Sequence, residues 1–248
     1  MNLLDETEHR PFPLPSKRYI MRQTWRNLLF LHWPIPFEKL RPHIPSSLQI
    51  DTFNGTAWIG IILFVLEGIY PRGISFISLT PKFPEINVRT YVKRDGKPGI
   101  YFMSIDVENW ASLKIAKRWY RLPYHSAQIS FRKEGRIFHC HSIRKGIGNN
   151  SISFEGKYAP VSEVYLSKKG TLDHWLTERY CLFSSKNKVG IYCGEIHHQP
   201  WPLQKAEIEV VKNTLFTPFH FDLSEVRPIA YFSTGVDSLM WNIRKVRF

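Results

Sequence analysis

In the segment E-I-N-V-R-T-Y-V the side chains alternate, with Glu85, Asn87, Arg89 and Tyr91 on one register and Ile86, Val88, Thr90 and Val92 on the other. A period of two is that of a β-strand, whose successive side chains point to opposite faces. One face therefore carries a carboxyl that can give or take a proton, an amide, a guanidinium and a phenol. Alternation alone describes equally well an antiparallel strand with its polar face in water. A second grouping is A-K-R-W-Y-R-L-P-Y-H, Ala116 to His125, which ends by placing Tyr124 and His125 side by side.

Two other clusters invite a metal. H-C-H sets His139 and His141 on one strand face, and C-G-E-I-H-H gathers Cys193, Glu195, His197 and His198. Neither has a common zinc spacing, so no metal is expected. There is no G-x-S-x-G elbow and no glycine-rich phosphate loop, so neither a serine-type nucleophile nor a nucleotide cofactor is indicated. No cofactor is expected.

The elements that must position these residues are mostly strands. Asn54-Gly55 marks a hairpin leading into a long strand from about Thr56 to Leu66. Asp95-Gly96 joins the Glu85 strand to G-I-Y-F-M-S-I-D-V, and Lys133-Glu134-Gly135-Arg136 forms a third turn. Helix signals are few. The clearest is W-A-S-L-K-I-A-K-R-W-Y after Asn109, on which Lys114, Lys117, Arg118 and Arg121 form one basic stripe. P-F-E-K-L and T-L-D-H-W-L-T-E-R-Y are shorter candidates. Residues 1–20, with Pro11, Pro13 and Pro15, read as an extended lead-in lying on the surface, and residues 21–248 as a single domain. Hairpins without βαβ spacing predict an α+β fold with a mainly antiparallel, barrel-like sheet, a few packed helices and an interior pocket. H-H-Q-P-W-P-L holds Trp201 rigidly between two prolines, against the core or at a pocket mouth.

The formal net charge of +13 attracts anions at long range but names no partner. The aromatics alternate within strands, where packing explains them, so no specific nucleic-acid site is expected. Three cysteines and a charged N-terminus without an apolar core read as a reduced, cytoplasmic chain. The longest apolar run, Ile59 to Leu66, is too short for a membrane-spanning helix. A homo-oligomer is left open.

F-P-E-I-N-V-R-T-Y-V, D-G-K-P-G-I-Y-F and A-K-R-W-Y-R-L-P-Y-H-S-A, with H-W-P-I-P upstream and T-E-R-Y and H-H-Q-P-W-P-L downstream, resemble the YqjF-type family of bacterial proteins. That family is similar to a remote branch of the acetoacetate decarboxylase superfamily, which implies a cone-shaped antiparallel β-barrel with a pocket inside. I-P-S-S-L-Q-I-D, ending at Asp51, is similar to the superfamily's P-x-x-L segment, and Glu85 matches its pocket glutamate. In the decarboxylases the lysine after the proline of the helix-to-strand segment forms a Schiff base, and a second lysine lowers its pKa. The matching positions here are Tyr124 and His125, and neither side chain can form an imine.

With the resemblance counted, the polar row is expected to line a pocket. Arg89, with Asn87 and Tyr91 beside it, would bind the anionic group of a small metabolite, and Glu85, Tyr124 and His125 would transfer protons. The alternatives are a non-catalytic module that keeps the pocket and, on charge alone, a binder of nucleic acid or membrane surfaces.

Overall fold

The computed structural model describes residues 3–74, 77–108, 122–146, 150–186 and 189–246. The basic-stripe helix expected after Asn109, with Lys114 and Lys117, lies outside the described residues. Strands dominate. In chain order they are β1 (Met21–Ile35), β2 (Gln49–Ile50), β3 (Ala57–Pro71), β4 (Phe83–Arg94), β5 (Lys97–Val107) and β6 (Tyr124–Ser126). There follow β7 (Gln128–Glu134), β8 (Ile137–Lys145), β9 (Ser151–Pro160), β10 (Tyr165–Leu166) and β11 (Cys181–Lys186). The last are β12 (Val189–His198), β13 (Pro202–Asn213), β14 (Ile229–Met240) and β15 (Arg244–Lys245). Two short helices, α1 (Phe37–Leu40) and α2 (Leu172–Thr177), fall where P-F-E-K-L and T-L-D-H-W-L stand. No helix among the described residues is long and apolar enough to cross a membrane.

The turns follow from their residues. Asn54 and Gly55 have φ of 48° and 81°, and Asp95 and Gly96 have 51° and 73°. Paired left-handed conformations of this kind twist with the flanking strands, and asparagine, aspartate and glycine adopt them most readily. The second turn closes the β4–β5 hairpin, in which Arg94 faces Lys97. The strand expected from Thr56 to Leu66 continues to Pro71.

Strand pairings run β1–β3–β4–β5–β11–β12–β14 and return to β1, a closed circuit. The sheet is mixed: β5 pairs parallel with both β11 and β6, while the other pairings are antiparallel. From β14 the sheet continues through β13, β9, β8 and β7 as a wing. Two cores result, one on each face of the circuit. Leu29, Leu31, Ile59, Ile61, Ile86 and Val88 point outward and pack with wing residues such as Phe138, Phe154 and Tyr158. Phe30, Ile62, Phe64, Tyr91, Ile105 and Leu182 point inward. The period-two alternation of β1, β3 and β4 thus separates two buried environments rather than core from water.

The N-terminal lead-in is not simply laid on the surface. Arg10 is buried, pairs with Glu195 at 3.6 Å and donates to the carbonyl of Ile196 at 2.7 Å. Its guanidinium sits over Tyr180, 5.0 Å from the ring centroid. The prolines set an extended backbone, but a cation carried on it finds a buried carboxylate across the fold.

Candidate functional site

The inward face of the circuit encloses a cavity with about 130 Å³ in which the centre of a water molecule fits, room for a small organic molecule. Its walls are largely apolar, and its polar groups are few: Gln23 on β1, Thr80 before β4, Glu85, Asn87 and Arg89 on β4, Tyr124 on β6, Thr177 at the end of α2, Arg179 just beyond it, and His198 on β12. The cross-strand register stacks these residues in layers. Glu85 lies between Phe64 and Val107, and Asn87 between Ile62 and Ile105. Arg89 lies beside Phe102 at the inner end.

Of the residues expected to form the site, Glu85, Asn87, Arg89 and Tyr124 line this cavity. Tyr91 continues the row but is fully buried beyond it, in tilted contact with Trp175 at 4.7 Å. His125 does not join them. It follows Tyr124 on β6, so alternation turns it to the opposite face, where it is exposed. The two positions that match the lysine pair therefore serve different faces, and only Tyr124 reaches the cavity. No lysine is among the described residues that line it.

Arg179 is the residue that sequence reasoning missed. It sits in T-E-R-Y just past α2, where its Nε donates to the carbonyl of Trp175 at 2.7 Å and its guanidinium stacks 4.2 Å from the Trp175 ring centroid. Nη1 bonds Asp51 at 2.7 Å, and Asp51 also meets Lys93 at 2.7 Å. I-D and T-E-R-Y, two marks of the family resemblance, are thus halves of one buried ion pair. Arg89 donates weakly to the carbonyl of Leu176 at 3.4 Å, and the buried ion pairs among the described residues involve other partners. Arg89 Nε, Arg179 Nη2 and Asn87 Oδ1 are buried without a hydrogen-bond partner among the described residues. Unpaired buried donors are costly, and buried guanidinium donors the more so.

Burial sets the proton affinities. It pushes the Glu85 carboxyl up to about 8, against a hydrogen bond from Asn87 that works the other way, so Glu85 is largely protonated at neutral pH. His198 is pulled down to about 3 by burial and is neutral. His32, fully buried beside Tyr91, is held well below its ordinary value by burial and by the charges of Arg89 and Arg179. Trp201 packs against the wall, stacked on Trp25 at 6.1 Å with its Nε1 donating to the carbonyl of Thr177.

Among the described residues no group of histidine, cysteine, aspartate and glutamate is placed to hold a metal ion. Glu195 instead meets Lys97 at 2.7 Å and Arg244 at 3.2 Å, and His197 bonds the carbonyl of Leu3.

Residues 22–237 match the DUF2071 family of uncharacterized conserved proteins. The chain belongs to this family. Across 244 residues it is 38% identical to the uncharacterized protein YqjF of Bacillus subtilis (strain 168), covering 98% of this chain and 99% of the relative. Its fold is that of acetoacetate decarboxylase-like proteins. The acetoacetate decarboxylase of Legionella pneumophila superposes with a TM-score of 0.62 at 11% identity, covering 99% of this chain and 95% of that one. An acetoacetate decarboxylase-like enzyme from Sphingomonas wittichii RW1 gives 0.62 at 10% identity, over 96% and 98% of the two chains. The enduracididine biosynthesis enzyme MppR, complexed with pyruvate, gives 0.61 at 8% identity, over 95% and 93%.

Proposed function

We propose that the cavity binds a small organic anion and acts on it by acid/base chemistry without a Schiff-base lysine. The observation that carries this reading is Arg89: a buried guanidinium, in no ion pair among the described residues, sharing a cavity with the unpaired Nη2 of Arg179. Two guanidinium groups lining one cavity offer a carboxylate or phosphate several charge-assisted hydrogen bonds. Glu85, neutral at physiological pH, supplies a proton or a hydrogen bond to the part of the ligand above the clamp. Tyr124, where the superfamily resemblance sets a lysine, contributes a phenol instead. The pyruvate bound to MppR, an organic acid, supports the same ligand class. His125, exposed on the other face, takes no part in the proposal.

A second reading, a binding module without turnover, draws on Tyr124 in the place of the imine-forming lysine. Glu85→Gln separates the two: an enzyme keeps its ligand and loses turnover, whereas a binding module changes only in affinity.

The first test is thermal stabilisation by small carboxylates and phosphates. A ligand at about one hundred times its dissociation constant stabilises by roughly 2.7 kcal/mol. At about 2 to 4 °C per kcal/mol for a chain of this size, the melting temperature should rise by roughly 5 to 10 °C. The shift should vanish in Arg89→Gln and persist in Arg136→Ala, a change in an exposed turn. A shift that survives Arg89→Gln would refute the clamp.

A further inference from the structure

The cavity's cationic groups are not spread evenly along it. The row Phe83, Glu85, Asn87, Arg89 runs up β4, and six residues of strand at about 3.3 Å each separate Phe83 from Arg89 by roughly 20 Å. The two guanidinium groups lie at the Arg89 end, which α2 closes through Leu176 and Thr177. The walls between are largely apolar, with Ile62, Phe64, Ile105 and Val107 facing the middle of the row and Tyr124 standing beside Ile105. At the Phe83 end stand Met21, Leu66, Ile69, Leu79 and Met240, with Gln23 and Thr80 as uncharged polar neighbours. Among the described residues that line the cavity, Leu79 alone is exposed, at 46%. It marks the mouth, and Ile77, close to it in the chain, is exposed as well.

A ligand the size of acetoacetate or pyruvate would occupy the inner end and leave most of this apolar wall facing water. Covering the wall is worth more the further an apolar chain extends along it. Resting on the anion-clamp reading above, we propose that the ligand is an amphipathic monocarboxylate bound head-in, its carboxylate on Arg89 and Arg179 and its apolar chain running past Glu85 and Phe64 to leave between Leu66, Phe83 and Leu79. The protonated Glu85 suits this path, because a neutral carboxyl can stand beside an apolar chain at far lower cost than a carboxylate.

The test is a titration of the intact protein with butanoate, hexanoate, octanoate and decanoate, each below its micelle-forming concentration, followed by calorimetry. Each added methylene should tighten binding by about fourfold until the chain reaches the mouth. Orientation is read from dicarboxylates. The second carboxylate of octanedioate would be stranded in the apolar middle, so it should bind roughly one hundredfold more weakly than octanoate or worse. Hexadecanedioate, long enough to span the roughly 20 Å to the mouth and set its far carboxylate in solvent, should bind about as well as tetradecanoate. Affinity that is lost in Arg89→Gln but does not grow with chain length would overturn this inference and leave the clamp standing. Octanedioate binding as tightly as octanoate would also overturn it, since the chain would then not run through the apolar middle. Affinity that grows with chain length but is untouched by Arg89→Gln would overturn both, since the head group would then lie elsewhere.

Discussion

Glu85→Gln should make the protein's stability less sensitive to alkaline pH, and the effect can be sized from the site. Burial raises the Glu85 carboxyl from its ordinary 4.5 to about 8 in the folded chain. Below 4.5 both folded and unfolded chains hold the proton. Between 4.5 and 8 the folded chain holds more protons than the unfolded one, so stability falls as pH rises, and above 8 the loss is complete. A carboxyl displaced that far costs roughly 5 kcal/mol when fully charged. Of this about 2 kcal/mol has been lost at pH 6 and nearly all at pH 9. Glutamine keeps the shape of the side chain and never ionises. Relative to the wild type, the variant should therefore gain about 3 kcal/mol between pH 6 and pH 9. Urea unfolding of both proteins at the two pH values measures this directly, with unchanged urea dependence as the check that the same unfolding is compared. A stability difference that stays constant across that range would refute the argument. That constant difference is also what a Glu85 held as a carboxylate by the arginines would give, since it would then be ionised in both states throughout the range.

Two further outcomes test the frame around the site. At Gly235 on β14, φ is +124° and an added Cβ would lie 2.0 Å from the carbonyl oxygen of Trp25, so Gly235→Ala should cost roughly 3 kcal/mol or more. Gly55→Ala, with a left-handed backbone but open space around it, should cost about 1 kcal/mol, and equal losses in urea unfolding would refute the contrast. Arg10→Ala removes the pin between the N-terminal lead-in and Glu195, which keeps Lys97 and Arg244, so it should cost about 2 kcal/mol and expose residues before Pro11 to protease. Wild-type resistance to cleavage there would show that other contacts hold the lead-in.

What the sequence discloses and what it hides follow from range. Asn54-Gly55 and Asp95-Gly96 specify their turns through backbone conformations that few other residues accept, so both hairpins are legible locally. The alternation from Glu85 to Val92 is legible too, but not what lies on each side. The polar row could have faced water; closure of the circuit through the β12–β14 pairing turns it inward. Arg179 and Asp51 are separated by 128 positions, and neither segment alone says that the other will neutralise it. Tyr124 and His125 looked equivalent as neighbours after a proline. The parallel pairing of β6 with β5, which sets Tyr124 beside Ile105, separates them. Arg10 is hidden for the same reason as Arg179: its partner is distant in the chain.

The proposal that this row is a site rather than an unusual core rests on the charges at the inner end. Two guanidinium groups flank Tyr91, at 5.9 Å for Arg89 and 4.9 Å for Arg179. Asp51 answers Arg179 and is shared with Lys93, so two cations already share that carboxylate and Arg89 has none among the described residues. Glu85 is the carboxyl on the same face of the same strand, yet its backbone lies about 13 Å from that of Arg89, four residues at about 3.3 Å each. A core built only for stability would bring the two together, because a buried charge left unpaired costs several kcal/mol. Here the acid is kept neutral by its apolar surroundings and the base is left charged, with space between them. On the reading proposed above, an organic anion seated on Arg89 would supply the missing negative charge without ionising Glu85, which would leave the proton on Glu85 available to the bound molecule.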